Sequence, residues 1–193
     1  MTTAKSSALI KGSLGAIAQR DNMTLAESFL SADAILIVDM SGSMGAHDAP
    51  DGLSRYEAAE NELRALQEQN PGQIAVIAFS DTAEFTPTGI PRRMGAGTNL
   101  TGALRFVKPA DGTGVRFIVI SDGDPDNKET ALEVARTFES KIDCVYIGPP
   151  DGGHFGGERF LRELAAASGG SFAKGDAPGL LAEQVTLLLG ATA

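Results

Sequence analysis

Four short apolar runs divide the chain: Ala34 to Val38, Ile74 to Phe79, Val115 to Ile120 and Ile142 to Ile147. Each is rich in β-branched residues and most lack polar alternation. That pattern predicts strands buried on both faces, as in a parallel sheet. Helical spacing fills the intervals. Ser54 to Asn70 places Ala59, Leu63 and Leu66 on one face, opens with a Ser54/Glu57 capping box and stops at Pro71-Gly72. Thr98 to Phe106 predicts a short helix. Asp126 to Ser140 predicts a longer one, with Ala131, Ala135 and Phe138 inward and Asp126 and Glu129 spaced as a second capping box. Gly157 to Ser168 carries Phe160, Leu161 and Leu164 and ends at Gly169-Gly170. Pro178 starts a last helix with Leu181, Val185 and Leu188 inward. Ala83 to Thr86 reads as a short extra strand, antiparallel at an edge, and Ser171 to Ala173 as a final parallel strand.

Strand and helix alternate throughout. The expected fold is therefore α/β: a Rossmann-like, doubly wound, mostly parallel sheet with helices on both faces. Residues 1–30 stand apart. Ile10, Leu14 and Ile17 have helical spacing weakened by Gly12 and Gly15, and Thr24 with Glu27 caps a second short helix. This segment is expected to be a helical arm packed on a single domain spanning 31–193.

In a parallel sheet, ligands sit outside the carboxyl ends of the strands. Three polar clusters fall there: Asp39-Met-Ser41-Gly-Ser43 after the first strand, Thr98 after Gly95-Ala-Gly97, and Asp122 in Ser121-Asp-Gly-Asp124. Carboxylate and hydroxyl oxygens alone suit a hard cation, with Mg²⁺ or Mn²⁺ favoured. Asp39 and Asp122 supply two charges. Ser41, Ser43 and Thr98 supply neutral oxygens, so a divalent ion held there stays electrophilic. Such a site favours completion by a partner's carboxylate. Gly42, Gly45, Gly95 and Gly97 are expected to permit tight turns around the hydroxyls.

These residues resemble the von Willebrand factor A-type domain and its metal-ion-dependent adhesion site. Asp39, Ser41 and Ser43 match its Asp-x-Ser-x-Ser motif, Thr98 its distal threonine and Asp122 its distal aspartate. The surroundings Gly97-Thr-Asn-Leu100 and Ser121-Asp-Gly123 also fit. The likeness runs from about Ala32 to Leu189. It implies a sheet of six strands, and contact to the ion by Ser41, Ser43 and Thr98 with the aspartates acting largely through water. The implied ion is Mg²⁺, with Mn²⁺ and Ca²⁺ as alternatives. The implied function is non-enzymatic binding of a protein that presents Asp or Glu. For stand-alone bacterial or phage forms it also implies association with an AAA-class ATPase.

Composition narrows the classes. The formal net charge is −9, a poor match for nucleic acid phosphates or anionic membranes. Lys11 and Gly12 interrupt the first apolar stretch, so no signal peptide is expected, and no run reaches the length of a membrane span. A cytoplasmic protein is the expectation. Cys144, alone in its apolar run, reads as a buried small hydrophobe. Other candidates have plain readings: His47 and His154 as solvated loop histidines, Arg92-Arg93 as a solvated pair, Asp81 with Ser80 as a turn, and Asp126 as a helix cap, though Asp81, Asp124 and Asp126 could also enrich the negative field at the ion. Met44 suits either a buried role or an exposed rim. Gly95-Ala-Gly97 lacks both nucleotide-loop fingerprints.

Two other functions remain. One is a Mg²⁺-dependent phosphotransfer enzyme with Asp39 as nucleophile. It wants an acid where Ser41 stands and a strand-end lysine, for which Lys108 is the nearest candidate. The other is a structural or assembly role built on the N-terminal arm.

Overall fold

The computed structural model describes residues 9–48, 52–149, 156–175 and 185–187. Its chain order is α1 (Leu14–Asp21), α2 (Leu25–Leu30), β1 (Ala34–Asp39), α3 (Arg55–Gln69), β2 (Ile74–Phe79), β3 (Ala83–Phe85), α4 (Leu100–Val107), β4 (Arg116–Ser121), α5 (Lys128–Ala135), β5 (Ile142–Tyr146), α6 (Gly157–Ser168) and β6 (Phe172–Lys174). Single 3₁₀ turns occupy Gly42–Gly45 and Lys108–Ala110. The six strands form one sheet in the order β3-β2-β1-β4-β5-β6. All pairings are parallel except that of the edge strand β3 with β2. Doubly wound α/β architecture is thus the observed fold.

The alternation within the apolar runs sorts the core. Ile35, Ile37, Ile77, Phe79, Phe117 and Val119 face one side, where they pack with residues of α4, α5 and α6. Leu36, Val38, Val76, Ala78, Ile118 and Ile120 face the other, against Ala59, Leu63 and Leu66 of α3. Successive strand side chains point to opposite faces. A run apolar at every position therefore feeds two cores at once. Cys144 lies fully buried in the first of these, and burial pushes its thiol up, out of the reactive range.

The predicted helices differ mainly at their ends. α3 opens with the expected capping box of Ser54 and Glu57, and α6 has the expected bounds, stopped by Gly169 in the left-handed region. α5 ends at Ala135 rather than Ser140. The reason lies in Asp111, whose carboxylate accepts the backbone N–H of Glu139 at 2.9 Å and of Ser140 at 2.9 Å and draws that segment out of helical geometry. Phe138 remains buried, edge-on to Phe117 at 5.2 Å between ring centroids. Of the helix expected after Pro178, only residues 185–187 lie among the described residues: they are helical, with Val185 buried and Leu187 exposed.

At the N-terminal end, Thr24 and Glu27 form the expected capping box of α2. Ser13 caps α1, so Ile10 and Gly12 precede that helix. Gly12 has φ +91, and a Cβ there would stand 2.1 Å from the Gln67 carbonyl oxygen. Its own carbonyl accepts the Gly72 N–H at 2.9 Å. The glycine therefore lets this segment press against the end of α3. Ile10 joins the α3-side core and Leu14 the other.

Asp111 offers a test of the folded electrostatics. Burial alone would raise its carboxyl, but the Lys108 ammonium at 2.7 Å and the two backbone donors outweigh that and hold it well below the usual carboxylate range. A folded carboxyl that binds its proton more weakly than the unfolded one stabilises the protein fully above its ordinary value near 3.8. That stabilisation is lost as pH falls below it. Asp111→Asn should cost about 1–2 kcal/mol at pH 7 by denaturant unfolding. The gap to the parent should close between pH 4 and pH 2. A gap that is constant across this range would show that the charge is not its source.

Candidate functional site

β1 is central in the sheet, and the strand order reverses between β1 and β4. The chain leaves β1 for β2 on one side and reaches β4 on the other. Loops after these two strands diverge and leave a crevice at their carboxyl ends. Asp39 is the last residue of β1 and Asp122 the first after β4. Two polar clusters distant in sequence meet at this switch point.

Asp39 is fully buried. Its Oδ1 accepts the Ser41 backbone N–H at 2.8 Å and its Oδ2 accepts the Ser121 hydroxyl at 2.6 Å. Desolvation pushes its carboxyl up to about 6. The Ser121 and Ser41 hydrogen bonds oppose the rise, and the nearby negative charge of Asp122 adds to it. Ser41 begins the 3₁₀ turn Gly42–Gly45, which brings its hydroxyl oxygen to 3.0 Å from that of Ser43. Asp122 is 8% exposed. Its Oδ2 accepts Arg55 Nη1 at 2.7 Å, and its Oδ1 is buried with no hydrogen-bond partner. Among the described residues no three His, Cys, Asp or Glu side chains gather into a cluster. The oxygens gathered here come from the Asp39 and Asp122 carboxylates and the Ser41, Ser43 and Ser121 hydroxyls.

Thr98 is 8% exposed and stands just before Asn99, the N-cap of α4. Its backbone N–H donates to Asp126 Oδ1 at 3.0 Å, and its carbonyl accepts the Asp126 N–H at 3.1 Å. This corrects the expected role of Asp126. Asn127 caps α5 instead, accepting from the Thr130 N–H at 2.9 Å, and Asp126 ties the Thr98 loop to the β4 loop. That loop also lies beside the serine turn, since a Cβ on Gly42 would meet Ala96 at 3.7 Å.

The glycines act differently from expectation. None of Gly42, Gly45, Gly95 and Gly97 has a positive φ. Gly95 and Gly97 are small because Asp81 packs on them: a Cβ would stand 1.6 Å from its carboxylate at Gly95 and 2.4 Å at Gly97. The glycine that needs its freedom is Gly123, at φ +80. A Cβ there would lie 2.2 Å from the Gly157 carbonyl oxygen, at the start of α6.

Two contributors escaped sequence reasoning. Ser121 bridges Asp39 and the Gly123 N–H, which it accepts at 2.9 Å. Arg55 enters from the first turn of α3. Only a polar residue ending an apolar strand, and a basic residue one position after a helix cap, hinted at them. Met40 and Met44 are both buried, which settles Met44 as packing and not rim. His47 is exposed, its ring 3.4 Å from the Gly52 carbonyl oxygen. His154 lies outside the described residues. Arg92 is 81% exposed beside Glu84, and Arg93 lies over the Tyr56 ring at 5.3 Å. Lys108 is bound to Asp111, before β4 begins, so it belongs to the opposite end of the sheet.

Against sequences, no family model matches the chain and no curated protein does. Against solved structures the fold is shared widely. An aerotolerance-related membrane protein of Bacteroides fragilis superposes with a TM-score of 0.66 at 16% identity, over 83% of this chain and 100% of that one. A von Willebrand factor type A protein of Catenulispora acidiphila gives 0.58 at 19% identity, over 82% and 42%. The manganese-loaded TRAP protein of Plasmodium vivax gives 0.52 at 19% identity, over 82% and 72%. The chain has the von Willebrand factor A-type fold.

Ser121→Ala should leave a buried Asp39 oxygen without its donor and cost about 1–3 kcal/mol of stability. In an Asp39→Asn background the same change should cost much less. Denaturant unfolding of the four proteins measures the coupling. A coupling near zero would mean that Ser121 does not serve Asp39.

Proposed function

We propose that this protein is a divalent-metal-dependent protein-binding module. Asp39, Ser41, Ser43, Thr98 and Asp122 hold the ion, and a partner's Asp or Glu completes its coordination. The observation that carries the reading is at Asp122: a carboxylate oxygen buried without a partner, beside a second buried carboxylate and two hydroxyl oxygens 3.0 Å apart. Arg55 pairs with one Asp122 oxygen only, so the other is left for a cation, and hard oxygen donors suit Mg²⁺, with Mn²⁺ and Ca²⁺ as alternatives. The manganese carried by the structurally similar TRAP protein is consistent with that chemistry. When bound, the ion supplies a Lewis-acidic position open to a carboxylate. The protein's own residues set how open it is: three neutral hydroxyls quench little of its charge.

A non-enzymatic role is supported by the state of Asp39. Both its oxygens accept hydrogen bonds and the residue is fully buried, which unsuits it as a phosphotransfer nucleophile. Lys108, the one lysine considered for phosphate charge, serves the other end of the sheet. Among the described residues no helix is long and apolar enough to cross a membrane. The location proposed with this reading is the cytoplasm, where an AAA-class ATPase partner would meet it. Residues 31–193 form the binding domain and 1–30 an accessory segment. The partner class we favour is an AAA-class ATPase that offers an acidic side chain.

Titration calorimetry with Mg²⁺ or Mn²⁺ tests the site. The parent should bind one ion, and Ser41→Ala should weaken it about tenfold or more, the loss of one oxygen donor to a charge. Capture of the partner from cell extract should disappear with a chelator and with Ser41→Ala alike. Chelator-insensitive capture, or sustained phosphate-ester turnover abolished by Asp39→Asn, would overturn the reading.

A further inference from the structure

Besides the five proposed oxygen donors, the Arg55 side chain reaches into the site. Arg55 is the first residue of α3, and its own N–H donates to the Ala46 carbonyl at 3.0 Å. Its Nη1 lies 2.7 Å from Asp122 Oδ2. Its Nε and Nη2 lie 2.8 and 2.6 Å from the two oxygens of Asp48. The Arg55 side chain is 11% exposed and that of Asp122 6%, whereas that of Asp48 is 40% exposed. One guanidinium thus spans a buried carboxylate of the site and a solvent-facing one in the segment that follows the serine turn.

The two grips are unequal. Asp48 takes the planar fork in two parallel hydrogen bonds, the strong and geometrically exacting arrangement. Asp122 takes a single nitrogen through one oxygen and keeps its other oxygen buried without a partner. A divalent cation and the guanidinium therefore compete for one carboxylate. A small shift of the planar guanidinium away from Asp122, followed by the exposed Asp48 side chain, ends that bond while the fork on Asp48 survives.

We propose that Arg55 is a built-in counter-cation for this site. It neutralises Asp122 while no ion is bound, and yields it by withdrawing onto Asp48 when an ion arrives. Asp48 is then the residue that sets how readily the site loads. This inference rests on the reading of the site as a divalent-cation site. It adds that affinity is held down by an internal competitor, and that ion binding changes the pairing of the segment around Asp48.

The test uses the full chain, Mn²⁺ as the probe, and four proteins: the parent, Arg55→Gln, Asp48→Asn and the double variant. Calorimetry or the electron paramagnetic resonance signal of free Mn²⁺ reads the affinity. Arg55→Gln should bind Mn²⁺ about tenfold more tightly, the scale of one hydrogen bond between charged groups. Asp48→Asn should bind more weakly, because the guanidinium is left with Asp122 as its carboxylate partner. Most of that loss should vanish in the double variant. In thermal unfolding without ion, Arg55→Gln should melt below the parent, and saturating Mn²⁺ should recover more of the difference than it gives the parent. Equal or weaker Mn²⁺ binding by Arg55→Gln overturns the proposal, as does an Asp48→Asn effect that persists unchanged without Arg55. If Arg55→Gln does not fold, Asp48→Asn alone decides: unchanged or tighter binding is fatal. A parent that binds no Mn²⁺ removes the site reading and this inference together. A parent that binds, with Arg55→Gln indistinguishable from it, removes the inference only.

Discussion

Asp39 ends the central strand with its carboxylate fully enclosed, and much of the site's construction answers that one burial. A charge taken out of water needs donors or a counter-charge close by. The chain supplies donors from two directions: the Ser41 N–H from the turn that follows at once, and the Ser121 hydroxyl from the end of the neighbouring strand. Ser121 then fixes the Gly123 N–H, and Gly123 allows the close approach of α6. The carboxylate organises the loops around it.

The donors offset the burial only in part, and the carboxyl sits near 6. Asp122 adds a second negative charge close by and depends on Arg55 for its hydrogen bond. The site is thus electrostatically strained in a specified direction: it would be relieved by positive charge placed among the oxygens. The hydroxyls can take part without adding negative charge. This is the physical basis for reading the cluster as a cation site that also has use for a third, external carboxylate. The overall charge of −9 makes the local balance by Arg55 more consequential, because Arg55 is the cation that pairs directly with Asp122.

Most of the architecture could be read from the chain because its signals are local. β-branched runs apolar on both faces require two covering layers. The Ser54/Glu57 and Thr24/Glu27 capping boxes act within one turn, and Gly169 needs no partner to stop α6. Readings failed where a residue has a choice of partner. Asp126 has the spacing of a cap, yet a distant backbone N–H at Thr98 claims its carboxylate. Glu139 and Ser140 have helical spacing, yet Asp111 takes their N–H groups. Gly95 and Gly97 look like turn glycines but answer to the bulk of Asp81.

The sequence by itself determined the fold class, the strand and helix inventory and the identity of the candidate oxygen donors. Each of these follows from side-chain chemistry at short range. Only the tertiary structure decided what stands between the donors. Ser121 lies 82 positions from the Asp39 it serves, and Arg55 67 from Asp122. No periodicity or motif encodes such distances. The reversal of strand order between β1 and β4 brings two far-separated carboxylates to one crevice, and the start of α3 places the Arg55 guanidinium between Asp122 and the solvent-facing Asp48.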